Sequence, residues 1–312
     1  MSEHLLEVEG LKQHFPVNKH YTVKAVDGVS FHIDAGETYG LVGESGSGKS
    51  TVGRAIIRLY TPTAGRVTFE GVEISGKLGA DETRHLRTRM QMIFQDPMAC
   101  LNPRKKVGDI IVQGLDIHHL YRDREERQEK VRRIMEKMGL DREHANRYPH
   151  QFSGGQRQRI GIARALVMEP KLVIADEPIS ALDVSIQAQV VNLMKDLQEE
   201  LGAAYLFIAL DLSMVKYISD RIGVLHLGHL VETGTTKDIF DCPLHPYTRS
   251  LLSAIPHADP HLEKTRVAVA YDCKTSGIIY TQGTYHSISN THAVLATDAE
   301  FAAWRTAAAQ GA

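Results

Sequence analysis

The sequence predicts an α/β fold, with a core of parallel strands and crossover helices, an antiparallel β layer before it and a helical insert within it. Gly43-Glu44-Ser45-Gly46-Ser47-Gly48-Lys49-Ser50-Thr51 matches G-x-x-x-x-G-K-[ST] in full, between a strand-like run and a helical one. Leu172-Val173-Ile174-Ala175 is continuously apolar and ends in Asp176-Glu177, the pattern of a strand buried on both faces. From about 160 to 240, strand and helix patterns alternate, as in a parallel sheet with crossover helices.

The other elements follow in chain order. Residues 5–35 alternate apolar and polar positions around turn residues, and Val67, Phe69 and Val72 continue that pattern around Glu70-Gly71, which indicates antiparallel strands. Thr38, Tyr39, Leu41 and Val42 form the strand before the glycine loop; Val52, Ala55, Ile56 and Leu59 mark the helix after it. A largely helical stretch spans about 97–152, where Val131, Ile134, Met135 and Met138 fall at i, i+3, i+4 and i+7 on one face. The charge-rich run 122–130 reads as the solvated face of a helix. Leu206-Phe207-Ile208 and Ile222-Gly223-Val224-Leu225 are strand candidates, the second ending near Gly228. In the tail, 267–271, 277–280 and 293–296 read as short strands, and 298–309 as a terminal helix with acids in its first turn. His257, His261, His286 and His292 match no metal-ligand spacing. The expected division is a nucleotide-binding domain over 1–260, with a helical subdomain at about 97–152, and an accessory segment over 261–312.

These patterns specify chemistry. The loop glycines let successive N–H groups turn inward as an anion nest. Lys49 would reach the outer phosphates of a nucleotide, and the Ser50 hydroxyl would hold Mg²⁺. Asp176 would meet the same ion, directly or through water; Glu177, one residue on and facing the other way, is placed to polarise an attacking water. A second glycine-serine loop, Ser153-Gly154-Gly155-Gln156, precedes the helical pattern Ile160, Ala163, Leu166 and Val167. A helix N-terminus there suits a terminal phosphate. Since the chain already has one phosphate site, the second would serve the nucleotide of another copy, as in a nucleotide-sandwich dimer.

Further motifs lie at Gln95-Asp96-Pro97, at Leu101-Asn102-Pro103-Arg104, at 180–185 (Ser-Ala-Leu-Asp-Val-Ser) and at His245-Pro246-Tyr247-Thr248-Arg249. Together with the glycine loop, the 152–159 segment and the acidic strand, they make the chain resemble the nucleotide-binding subunits of ATP-binding-cassette (ABC) transporters. Within these it resembles the ATPases of the oligopeptide/dipeptide permease group, over roughly residues 5–260. The resemblance implies a P-loop NTPase core of the ABC cassette type, with an antiparallel β layer, an inserted helical subdomain and a small C-terminal accessory region. It implies ATP and Mg²⁺ as ligands, and ATP hydrolysis that powers import of oligopeptides or dipeptides. The implied partners are a second, non-identical ABC ATPase subunit, two membrane permease subunits and an extracytoplasmic peptide-binding protein, with the chain peripheral at the cytoplasmic face of the membrane. Carried over residue by residue, Glu177, Gln95 and Lys49 are catalytic, and Ser50, Gln95 and Asp176 hold the metal. Residues 43–51, Ser153, Gly154, Gly155, Gln156 and Asp183 contact nucleotide, with Asp183 crossing the dimer interface and Gln95 also sensing the membrane partner. Tyr21 is the candidate for stacking on adenine, with Phe15 and His20 as rivals.

One position departs from the family pattern. Where the family has a histidine that contacts the γ-phosphate directly before an aspartate, this chain has Leu210 before Asp211. Leucine neither donates a hydrogen bond nor carries charge. Loss of one donor aimed at developing charge typically costs about 10²–10³ in rate. The alternative expectation is therefore an ATP-binding but hydrolysis-impaired subunit in an asymmetric ABC dimer.

Composition is ordinary for a soluble globular protein. The 312 residues are 43% hydrophobic and 24% charged, and the net charge of −2 leaves no footprint for a nucleic-acid partner. Cys100, Cys242 and Cys273 are scattered and form neither a disulfide framework nor a metal cluster. No basic region followed by an apolar stretch opens the sequence, and no apolar run approaches the roughly 18–20 residues that span a bilayer, so a cytoplasmic chain is expected.

Overall fold

The computed structural model describes residues 4–180, 182–256 and 269–310. The chain opens with a long hairpin of β1 (Leu6–Asn18) and β2 (Tyr21–Ile33), followed by β3 (Thr38–Val42) and, after the glycine loop, α1 (Lys49–Ile56). β4 (Ala64–Phe69) and β5 (Val72–Glu73) return to β1 and complete an antiparallel sheet in the order β2-β1-β4-β5. α2 (Ala80–Arg89) leads into β6 (Met90–Ile93), and the helical stretch follows as α3 (Pro97–Cys100), α4 (Val107–His118), α5 (Arg124–Lys137) and α6 (Gly154–Leu166). Then come β7 (Leu172–Asp176), α7 (Val184–Leu201), β8 (Ala204–Ala209), α8 (Leu212–Ile218), β9 (Arg221–His226), β10 (His229–Thr235), α9 (Thr236–Asp241) and α10 (Pro246–Ser253). The tail contributes β11 (Thr284–Ser287), β12 (Ala293–Ala296) and a terminal helix, Asp298–Gln310.

The larger sheet has the order β11-β12-β10-β9-β3-β8-β7-β6. Its strands β6, β7, β8, β3 and β9 are parallel, and β10, β12 and β11 extend it by antiparallel pairing. Covered on both faces, the central strands need apolar residues at every position. In β7, Val173 and Ala175 join a core shared with Ile160 and Ile162 of α6, while Leu172 and Ile174 join a second core with Val52, Ala55 and Ile56 of α1. Each fully buried leucine or isoleucine contributes about 1.5–3 kcal/mol. The first core also takes the apolar faces of the helical insert, Ile110, Ile111 and Leu115 of α4 with Val131, Ile134 and Met135 of α5. Among the described residues, no helix is long and apolar enough to cross a membrane.

Several local expectations are corrected. α2 and β6 fall where the sequence reading placed no element; β6 exists through parallel pairing with β7, Met90 to Leu172 and Ile93 to Ala175, a partner about 80 residues away. Among the described residues, the strands expected at 267–271 and 277–280 are not seen: residues 269–271 and 277–279 are irregular, and Tyr280–Gln282 is a single 3₁₀ turn. Tyr271 and Tyr280 instead turn their rings toward His226 and Tyr247, and this burial outweighs their strand propensity. Val267 and Ala268 lie outside the described residues, as do His257, His261 and Ala181. The strand at Ala293–Ala296 and the terminal helix occur as expected.

β12 is fastened to the sheet by a buried pair. Glu232 of β10 is fully buried; its Oε1 lies 2.8 Å from His292 Nε2 and accepts from Leu244 N–H, and its Oε2 accepts from His245 N–H. Removing one member of such a pair leaves the other buried and short of a partner. The substitution His292→Ala is therefore expected to cost about 3 kcal/mol of unfolding free energy, read by urea denaturation; an unchanged midpoint and slope would refute this role.

Candidate active site

Four adjacent parallel strands end on the same edge of the sheet, and each delivers one component there. β3 runs into the glycine loop, β8 into Leu210, β7 into Asp176 and Glu177, and β6 into Gln95 two residues beyond Ile93. The pairing register keeps them level: Val42 lies opposite Ala209, Asp176 opposite Ile208, and Ile93 opposite Ala175. The carboxyl ends of parallel strands are where open α/β sheets bind ligands.

The loop can follow its path only with glycine at two points. At Gly48, with φ of 108°, a Cβ would lie 2.2 Å from the Ala25 carbonyl oxygen; at Gly43, with φ of 149°, it would lie 2.1 Å from that of Leu225. At both points the loop backbone lies closer to a neighbouring strand, β2 or β9, than a side chain would allow. Glu44, Ser45 and Gly46 form the exposed tip, while Ser47 and Lys49 are buried. Lys49 Nζ donates to the carbonyls of Gly43 and Glu44 at 2.8 Å each, and so spans the loop. Burial holds its ammonium below the ordinary lysine pKa, against the opposing pull of the Glu177, Asp176 and Glu44 charges.

Ser50 and Thr51 begin α1. Ser50 Oγ donates to Asp176 Oδ1 at 2.6 Å, and Arg54 Nη2 lies 3.5 Å from the other oxygen. Asp176 is completely buried, so these partners offset its desolvation. Arg54 was not anticipated, although its spacing of four from Ser50 places both on one helix face. Glu177 points the other way: Gln95 Nε2 donates to its Oε2 at 2.6 Å. Its φ of 46° is left-handed, strained for a non-glycine residue, and it precedes Pro178. Such strain costs on the order of 1–3 kcal/mol. It is held by the bond from Glu177 N–H to the Ile208 carbonyl and by bonds from Ser180 N–H and Oγ to the Glu177 carbonyl. The hydroxyl of Ser50 and the carboxylate of Asp176, in contact at 2.6 Å, are hard oxygen donors of the kind Mg²⁺ takes, as is the amide oxygen of Gln95.

The remaining candidates stand apart from this cluster. Ser153 caps α6: its Oγ accepts from Gln156 N–H at 3.3 Å, and Gln156 Oε1 accepts from Ser153 N–H at 3.1 Å. Ser153 and Gly154 are exposed. Gly155 backs onto α7, where a Cβ would lie 3.0 Å from Ile186 Cγ2. Asp183, the residue before α7, is exposed, and its carboxylate accepts no capping bond. The start of α6 and the start of α7 are thus neighbours. Tyr21 is 59% exposed at the first position of β2, opposite Asn18. Its rivals are engaged locally: Phe15 packs edge-on against Tyr60, and His20 N–H donates to Asn18 Oδ1. Leu210 is 48% exposed, directly before Asp211, whose Oδ1 caps α8 through Ser213 N–H. One contact had no local signal in the sequence: Glu44 N–H donates to the Tyr247 hydroxyl at 2.8 Å, across 203 positions.

A family model described as ABC transporter matches residues 26–180, and one described as oligopeptide/dipeptide transporter, C-terminal region, matches 231–272. The chain is 58% identical to the oligopeptide transport ATP-binding protein OppF of Bacillus subtilis, over 97% of its own length and 100% of that protein. It is 52% identical to the dipeptide transport ATP-binding protein DppF of Lactococcus lactis, over 95% of each. Among solved structures it is similar to the dimeric, post-hydrolysis ATP-binding cassette MJ0796 bound to ADP and Pi, with a TM-score of 0.68 and 27% identity over 74% of this chain and 98% of that one. It is also similar to CbiO1 of Clostridium perfringens, part of the CbiONQ transporter complex, with a TM-score of 0.67 and 26% identity over 77% and 92%. Fold, site edge and relatives agree: the chain belongs to the ABC transporter family, as an ATP-hydrolysing member of its oligopeptide/dipeptide group.

Proposed function

We propose that the chain is an ATPase subunit of an importer for oligopeptides or dipeptides, working with a second, non-identical cassette, two membrane permease subunits and an extracytoplasmic peptide-binding protein. The observation that carries the reading is the pair of contacts on one strand edge, Ser50 to Asp176 and Gln95 to Glu177, each 2.6 Å. One carboxylate is committed to the phosphate-loop helix and the other to the residue that opens the helical insert. The loop N–H groups and Lys49 bind the phosphates. Ser50, Asp176 and Gln95 would hold Mg²⁺, which when bound neutralises charge on the phosphate oxygens. Glu177 orients the attacking water and accepts its proton, and Gln95 fixes the Glu177 side chain for that task.

Ser153, Gly154, Gly155, Gln156 and Asp183 serve the partner's nucleotide across a sandwich dimer; the exposure of Ser153, Gly154 and Asp183, and the bonding of Ser153 to Gln156, support this reading. Tyr21 stacks on adenine; its exposed ring, at the first position of β2, supports the role. Residues 97–152 act as the helical subdomain that couples nucleotide closure to the membrane, and 261–312 as the accessory segment. Beside Gln95, a cavity of about 670 Å³ bordered by Leu86, Met92, Phe94, Gln113 and Met168 supports a seat for a permease segment, with the chain peripheral at the cytoplasmic face.

A second reading is favoured by Leu210. It leaves β8 two residues after Ile208, the residue whose carbonyl anchors Glu177, and offers no donor toward a γ-phosphate. Own-site turnover is then slowed, and the non-identical partner carries most of the hydrolysis.

Reconstitution of the chain with its partners in proteoliposomes tests the main reading. ATP-dependent uptake of labelled di- or oligopeptides, lost in Lys49→Ala, is the expected result. ATP-independent uptake, or no peptide uptake alongside brisk ATP hydrolysis, would overturn it.

A further inference from the structure

The glycine loop is braced by the C-terminal third of the chain. Gly228 N–H, in the turn between β9 and β10, donates to the Ser47 carbonyl at 2.9 Å. The Tyr247 hydroxyl, from α10, accepts from Glu44 N–H at 2.8 Å. Two of the nine loop residues are thus fixed by groups about 180 and 200 positions downstream.

Tyr247 is itself held by the tail. Its ring lies 4.0 Å from that of His226, at the end of β9, and 5.5 Å from that of Tyr271. His226 Nδ1 lies 2.5 Å from the Tyr280 hydroxyl, which lies 3.1 Å from the Tyr271 hydroxyl. Below Tyr247, the buried His245 caps α10 by accepting Tyr247 N–H and packs edge-on against Trp304 of the terminal helix. Burial pushes His226 down to about 4 and His245 down to about 3, so both rings are neutral at physiological pH. A neutral, tightly packed block of phenols and imidazoles fixes the direction of a hydroxyl without placing a charge beside an anion site.

We propose that Tyr247 is a positioning residue for the nucleotide, and that the tail acts on the phosphate loop through it. Tyr280 and Tyr271 hold His226 and Tyr247, Tyr247 holds Glu44 N–H, and the loop keeps the shape that receives phosphate. The consequence for affinity rests on the reading that this loop binds ATP; the bracing of Glu44 does not.

The test uses the full-length chain and its Tyr247→Phe, Tyr280→Phe and doubly substituted forms. Each substitution removes one hydroxyl and keeps the ring, so packing is retained. Hydrogen exchange at the Glu44 amide should accelerate about tenfold in Tyr247→Phe, as one hydrogen bond is lost. Tyr280→Phe should accelerate it less, and should add nothing in the double variant. Mg-ATP titration should show Kd raised about tenfold in Tyr247→Phe, again without further loss in the double variant, and with the maximal hydrolysis rate at saturating ATP unchanged. A general loss of stability would instead lower Tm and raise exchange across the chain. Unchanged exchange at Glu44 in Tyr247→Phe, or additive effects of the two substitutions, would overturn the proposal. Failure of the parent chain to bind Mg-ATP would overturn the nucleotide reading, while Glu44 exchange would still decide the bracing.

Discussion

The substitution Glu177→Gln is expected to lower ATP hydrolysis by about 10²–10⁴-fold, the usual worth of a positioned proton acceptor, while nucleotide binding persists. The geometry makes this separation sharp. The amide has the size of the carboxylate and still offers an oxygen to Gln95 Nε2, now 2.6 Å from Glu177 Oε2. The strained backbone is held by main-chain groups and the Ser180 hydroxyl, none of which involves the Glu177 side chain. The contacts of Ser50 and Arg54 go to Asp176 instead. Only the capacity to take a proton from the attacking water is removed. Phosphate release and Mg-ATP binding measured side by side on the assembled transporter check the prediction. Parental turnover would assign the proton acceptor elsewhere. Loss of binding would mean that Glu177 supports the loop rather than the chemistry.

What the sequence made legible is what local physics determines. The glycine loop is readable because its path excludes Cβ atoms at Gly43 and Gly48 and because a strand and a helix must flank it. β7 is readable because a strand covered on both faces needs uninterrupted apolar residues, and the two carboxylates reach different partners because Asp176 ends the strand while Glu177 turns out of it at a φ of 46°. The start of α6 is readable because a glycine-serine loop precedes a helical apolar pattern; the reciprocal capping pair of Ser153 and Gln156 is what the structure adds. What was illegible depends on distant pairing. β6 is four residues long and exists only beside β7. Tyr271 and Tyr280 have strand propensity but find a better burial against His226 and Tyr247. The His-Pro-Tyr-Thr-Arg motif was visible only as a mark of kinship. That its tyrosine reaches Glu44 follows from folding β9, β10 and α10 back beside β3, which no local pattern announces.

The reverse change at the neighbouring strand end tests whether this site is slow by construction. Leu210→His is expected to raise the hydrolysis rate of the reconstituted transporter tenfold or more, approaching the roughly 10²–10³ that one donor aimed at developing charge can supply. The position accepts the change: Leu210 is 48% exposed, outside both apolar cores, so the imidazole buries no new polar group and leaves no cavity. It lies immediately before the Asp211 cap, whose bonds to Ser213 and Met214 N–H use the aspartate side chain alone, so α8 should start unchanged. The backbone at 208 is tied to Glu177, which keeps the strand end in register with the acidic residues while residue 210 is exchanged. Combining Leu210→His with Glu177→Gln separates the two contributions. If histidine acts on phosphate charge generated by attack from the Glu177-activated water, its gain should vanish in the double variant. A gain that survives would mean that the new imidazole itself takes the proton. Equal, brisk rates for leucine and histidine would show that Glu177 and the loop suffice, and that leucine at 210 is tolerated in an ordinary motor. A large gain lost with Glu177 would instead establish a built-in asymmetry, in which this subunit closes on ATP and its partner's site sets the pace of transport.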